Sequence, residues 1–150
     1  MVKLKHMDAI TLREAIRESG DWVQLERACD LATVLHDGQT RKEPVQGREE
    51  TPYIEHCLRN VLRLIRYGVT DEDVLIGAAF HDVVEDCMDE WMALRDQSMS
   101  AEDAREAMFA ELEADYGARV KHLVASVTNP IEDKSWKKQS DDVKFAEDYL

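Results

Sequence analysis

Along most of the chain the apolar residues recur at steps of three and four, the period of one helix face, and nowhere do they alternate over the length of a strand. The pattern predicts an all-α protein. Thr11 with Glu14 reads as a capping box that opens a short first helix, running to about Ser19 and stopped by Gly20. Asp21 is placed to cap a second helix from Trp22 to about His36, with Leu25, Ala28, Cys29, Ala32 and Leu35 as its apolar stripe. From Gly38 to Pro52 the period lapses into a polar stretch, GQTRKEPVQGREETP, which reads as a functional loop. Pro52 suits the first turn of a third helix that carries Ile54, Leu58, Val61, Leu62 and Ile65 on one side and stops at Gly68. Thr70 to Asp73 opens a fourth, through Leu75, Ile76, Ala79, Phe80, Val83 and Val84; being apolar almost all round, it should be central. Trp91, Met92 and Leu94 suggest a short helical turn within 89–99. Ser100 with Asp103 starts a helix ending near Gly117, and Ala118 to Val127 gives another, broken by Thr128-Asn129-Pro130. From Ser140, Val143, Phe145 and Ala146 return to near helical spacing and meet the C-terminus with no stop signal, as in a chain cut inside a helix. No repeat or linker divides the sequence, so 1–150 is expected to be one domain.

Composition narrows the classes. A chain of 150 residues, 44% hydrophobic and 34% charged, can bury one core. No apolar run approaches the roughly 18 residues of a membrane span, and Met1 to Met7 leads into no signal-like stretch, so a cytoplasmic protein with no membrane partner is expected. Cys29, Cys57 and Cys87 form no Cys-x-x-Cys pair and read as reduced, packed thiols. The formal charge of -13 argues against nucleic acid as a partner. A small anionic ligand would have to be met locally, by a metal or a few arginines and lysines.

The chemistry gathers in Gly77-Ala-Ala-Phe-His81-Asp82-Val-Val-Glu85-Asp86, which sets four protonatable side chains in the most apolar helix. Three are acidic and lie towards its C-terminal half, where the helix dipole disfavours negative charge, so a cation should compensate. Spacings of three and four let the four groups share one broad helix face, and neighbours such as His81 and Asp82, about 100° apart, can straddle a metal lying between them. His56, in the third helix, is a suitable further nitrogen donor. Imidazole with carboxylate suits manganese, iron or zinc, whereas magnesium prefers oxygen ligands.

The ordered set His36-Asp-Gly-Gln39-Thr-Arg41-Lys42, Pro52-Tyr53-Ile54-Glu-His56, Phe80-His81-Asp82-Val-Val-Glu85-Asp86, Tyr116-Gly117 and Val127-Thr128 resembles the hydrolase domain of the RelA/SpoT family, and especially its small stand-alone alarmone hydrolases. The likeness runs from about Ala28 to Thr128. It implies a helical HD-type fold and a metal-dependent phosphohydrolase that removes the 3′-pyrophosphate of ppGpp or pppGpp, with manganese as the usual metal. It further implies His56, His81 and Asp82 as metal ligands, Glu85 and Asp86 as the groups that position or activate the attacking water, and Arg41 and Lys42 as the nucleotide's neighbours. Without that ordered set, Arg41 and Lys42 would read as plain loop charges and His56 as a half-buried histidine. His36 is not a ligand position in the family and reads as structural or supporting.

Four departures qualify the likeness. The family's short Ser-Gly-Glu-Pro link is replaced by a longer Glu43 to Thr51 loop, which bears on nucleotide choice and leaves open another nucleotide substrate. Asn129 stands where the family carries lysine after Val-Thr, and His56-Cys57 replaces His-Pro. The family's later aspartate ligand has no clean counterpart. Glu147 and Asp148 are its faint candidates, and truncation ahead of the true ligand is preferred to substitution. That gap also keeps open a nucleotide-binding HD domain without catalysis. Lys134, Lys137 and Lys138 beside Trp136 read as a solvated face.

Overall fold

The computed structural model describes residues 3–42, 48 and 50–130, and its regular elements are helices. A 3-10 turn, Leu4–His6, precedes α1 (Ala9–Glu18) and α2 (Val23–Leu35). Then follow α3 (Tyr53–Arg66), α4 (Glu72–Phe80), α5 (Val83–Asp86), α6 (Met88–Leu94), α7 (Ala101–Tyr116) and α8 (Ala118–Ser126). The all-α expectation holds. No described helix is long and apolar enough to cross a membrane, and the three cysteines are free and buried.

The element read as central is central: α4 packs on α2, α3 and α8, and Leu75, Ile76, Ala79 and Phe80 are buried. Gly77 permits the α8 approach, since a Cβ there would stand 3.3 Å from the Cβ of Leu123. Ser100 caps α7 through the Asp103 N–H, as the sequence indicates, and Gly117 ends it at a φ of 100° that side chains other than glycine's rarely tolerate.

Three local expectations change. Asp8, not Thr11, caps α1, its carboxylate accepting the Thr11 N–H at 2.9 Å; an Asp in extended conformation serves that role as well as the expected threonine. Trp22, not Asp21, stands at the N-cap of α2 and makes no side-chain cap. The fourth helix does not run through Val84: α4 stops at Phe80, His81 and Asp82 occupy a break, and the short α5 resumes at Val83. The four protonatable groups therefore do not share one helix face. The cause is local, because His81 Nδ1 donates to the Ala78 carbonyl at 2.8 Å. That is the acceptor a continuous helix would reserve for the Asp82 N–H.

An isolated antiparallel bridge joins Thr40 to Pro52. The Arg41 N–H donates to the Thr51 carbonyl at 2.9 Å and the Tyr53 N–H to the Gln39 carbonyl at 2.8 Å, closing the neck of the long loop. Within the loop, Arg48 grips the buried Glu55 carboxylate with contacts of 2.7 and 2.5 Å. Arg59 completes the cluster, reaching Glu55 at 3.4 Å and donating to the Leu4 and Met7 carbonyls at 3.0 and 3.2 Å. The rest of that loop (43–47 and Glu49), the expected helix after Ser140 with Glu147 and Asp148, and Lys134, Lys137 and Lys138 beside Trp136 lie outside the described residues.

Candidate metal centre

The break after α4 aims two donors at the start of α3. His81 and Asp82 are nearly inaccessible, with 4% and 6% of their side chains exposed, and His81 Nε2 stands 2.8 Å from Asp82 Oδ2. His56, from the first turns of α3, brings its ring to 5.4 Å from that of His81. Ligand atoms of His56, His81 and Asp82 all lie within 4.8 Å of one another, a spacing that a single ion can bridge.

Protonation suits that use. His81 donates from Nδ1 to the Ala78 carbonyl, which fixes the ring with Nε2 facing Asp82. Burial would raise the Asp82 carboxyl, but bonds from the His81 ring and the Tyr53 hydroxyl outweigh it and hold the group below its ordinary value. A proton or a metal ion can occupy the space between Nε2 and Oδ2, and the mixed nitrogen and oxygen ligand set of His56, His81 and Asp82 fits a first-row divalent metal. Burial, with help from Arg41, lowers His56 to about 4 and keeps its ring neutral. Arg41 Nη1 approaches His56 Nδ1 at 3.1 Å. Guanidinium only donates and a neutral imidazole has one ring lone pair, so His56 can give that pair to Arg41 or to a metal, not to both.

Tyr53 lies in the Pro52-Tyr53-Ile54 motif, whose sequence alone assigns it no role, and it is a further neighbour of the site. Its hydroxyl donates to Asp82 Oδ2, and its ring bridges those of His36 and His56 at 5.0 and 5.5 Å. His36 is buried on the other side of the Tyr53 contact, its Nδ1 donating to Gln39 Oε1 at 2.7 Å. Gln39 passes the contact on to the Asp86 carbonyl at 2.9 Å. His36 thus braces α5.

The acidic pair separates into two environments. Burial raises Glu85, whose Oε1 accepts the Asn129 N–H at 2.5 Å and whose Oε2 lies 3.5 Å from Asn129 Nδ2. Asp86 stands at the open rim, and its carboxyl is pushed up to about 6 by partial desolvation and by repulsion from Asp82 and Glu85, against the pull of His81 and Lys42. A carboxyl in that range can exchange protons near neutrality. Lys42 is exposed beside it and Arg41 half-buried.

Similarity to known proteins fits this arrangement. Guanosine-3′,5′-bis(diphosphate) 3′-pyrophosphohydrolase MESH1 of Xenopus tropicalis is 33% identical over 113 residues, 74% of this chain and 50% of that protein. The Homo sapiens protein of the same name is 35% identical over 108 residues, 71% of this chain and 48% of its own length. The matched stretch is similar to part of these pyrophosphohydrolases. The Drosophila melanogaster protein agrees, at 34% over 109 residues, 72% of this chain and 47% of its own. This chain therefore spans about half the length of the curated relatives it matches. No protein-family model matches it.

Proposed function

We propose that the chain is a metal-dependent phosphohydrolase that removes the 3′-pyrophosphate of ppGpp or pppGpp, with manganese on His56, His81 and Asp82. The convergence of those three donors within 4.8 Å carries the reading, and the homology to pyrophosphohydrolases supplies the substrate class.

When bound, the metal would acidify a water molecule and polarise a phosphoryl oxygen. The protein's own groups do the rest. Ala78 orients the His81 ring, and Tyr53 with His81 keeps Asp82 ionised. Asp86, with its carboxyl at about 6, is largely deprotonated at neutral pH and takes the proton of the attacking water. Glu85, anchored on Asn129, orients that water. A metal held by His56 would take the lone pair that Arg41 now uses, and Arg41 would then be free to meet the phosphates that do not react, beside Lys42.

The test is purified protein with ppGpp, with and without manganese, assayed by chromatography for GDP and pyrophosphate. Metal-dependent release of both, lost in Asp82→Ala, is expected. Intact ppGpp at full metal occupancy would sink the reading, and a panel of other nucleotides would then separate a different substrate from a binding domain without catalysis.

A further inference from the structure

The end of α8 carries a connection that no motif in the sequence announced. After Ser126 the chain turns, with the Thr128 hydroxyl donating to the Val124 carbonyl at 2.6 Å. The turn delivers Asn129 to α5, where its N–H meets Glu85 Oε1 at 2.5 Å. On the other side of the same residue, Arg105 Nη1 from α7 donates to the Asn129 carbonyl at 2.5 Å. Phe109, one turn along α7, lies under the guanidinium at 5.4 Å from ring centre to carbon and limits its swing. Arg105 also opens onto a groove of about 680 Å³ with Glu102, Glu106 and Lys121. Its charge also acts on Glu85, pulling that carboxyl down against burial.

We infer that Arg105 is a positioning residue for the site: by holding the Asn129 carbonyl from α7, it fixes the Asn129 N–H on Glu85 and so fixes the carboxylate that orients the attacking water. The functional half of this inference rests on the hydrolase reading; the structural half does not. Arg105 touches no reacting atom. The Asn129 N–H and the Asn129 carbonyl belong to the two peptide units that flank its Cα, so pinning both leaves φ and ψ of Asn129 little freedom, and a charged donor with a charged acceptor makes both bonds strong. The link also joins α7, which packs on α5 and α8, to the short helix that holds Glu85 and Asp86.

Two measurements on Arg105→Gln and Arg105→Lys decide it. The first, by NMR, follows the Asn129 amide proton, which should sit far downfield and titrate with Glu85. In Arg105→Gln it should move upfield and exchange with solvent at least about tenfold faster, with Arg105→Lys between the two. An Asn129 amide unchanged in Arg105→Gln would overturn the proposal, whatever the protein's activity. The second, in protein that turns over ppGpp, is kinetic: kcat should fall about tenfold in Arg105→Gln with KM within about twofold, and Arg105→Lys should recover most of it. A parallel fall of kcat and thermal midpoint, with no recovery by lysine, would overturn the positioning role. Wild-type protein inert towards ppGpp would sink the hydrolase reading and the functional half with it; the amide measurement would still decide the structural half.

Discussion

The Tyr53 hydroxyl donates to Asp82 Oδ2, the same carboxylate oxygen that faces His81 Nε2. One phenol on α3 thereby orients a carboxylate that lies 29 residues further along the chain. Groups that support a metal ligand in this way typically contribute about 10- to 100-fold in metal affinity. Tyr53→Phe keeps the ring stack and removes only the donor. Manganese titration by calorimetry should show affinity weakened by about tenfold or more; unchanged affinity would mean that Asp82 is held without it.

Arg41 and a metal compete for one lone pair on His56, so Arg41→Ala should have opposite effects on the two ligands. Manganese affinity should rise by about tenfold, the worth of one charge-assisted hydrogen bond. The KM for ppGpp should rise as well, because a phosphate partner is lost. Equilibrium metal titration alongside steady-state kinetics checks both, and a KM increase with weakened metal binding would refute the competition.

Asp86 links activity to stability. Its carboxyl is raised from 3.8 to about 6 by desolvation and by Asp82 and Glu85. Between those values the folded protein binds more protons than the unfolded chain, so this group's contribution to stability falls as pH rises through the window. Above about 6 the folded state carries a disfavoured charge. Asp86→Asn should therefore raise the thermal midpoint at pH 7 relative to wild type, while lowering kcat by about 100-fold or more. In wild type, kcat should decline as pH falls below about 6. A midpoint lower than wild type at pH 7, or a flat acid limb, would contradict the assignment.

What the sequence conveyed and what it withheld follow from the range of the interactions. The helices of α2, α3, α7 and α8 were legible because their apolar stripes and stops are local, and Ser100 capped where a serine before an acidic turn should. The convergence of His56 with His81 and Asp82 was legible only through the ordered motifs, since spacing places no helix against another. The break at His81 was not legible: GAAFHDVVED carries no glycine or proline at that point, and the interruption comes from a side chain taking the Ala78 carbonyl. Asn129 and Arg105 escaped for a related reason, because the strong contacts to Glu85 and Arg105 use the Asn129 main chain, which leaves no mark on residue identity.

The Glu55 cluster makes a separate prediction about folding. Glu55 is 1% exposed and is neutralised by Arg48 and by Arg59, itself 6% exposed. Removing one partner of a buried charge set costs about 3–5 kcal/mol. Arg59→Leu should lose about 3 kcal/mol in urea denaturation, at the lower end because Arg48 remains. A loss below about 1 kcal/mol would indicate that the carboxylate is relieved in another way.

The neck formed by Thr40 and Pro52 sets the long loop apart from the chemistry it borders. Because Arg41 and Tyr53 are each pinned by a main-chain bond across the neck, the sequence between them can change while its two anchor points keep their separation, provided Arg48 stays to neutralise Glu55. For a flexible segment each doubling of length adds only about 0.6 kcal/mol to closure. Evolution, or an engineer, can thus vary the sequence between the two anchors without disturbing the start of the helix that carries His56.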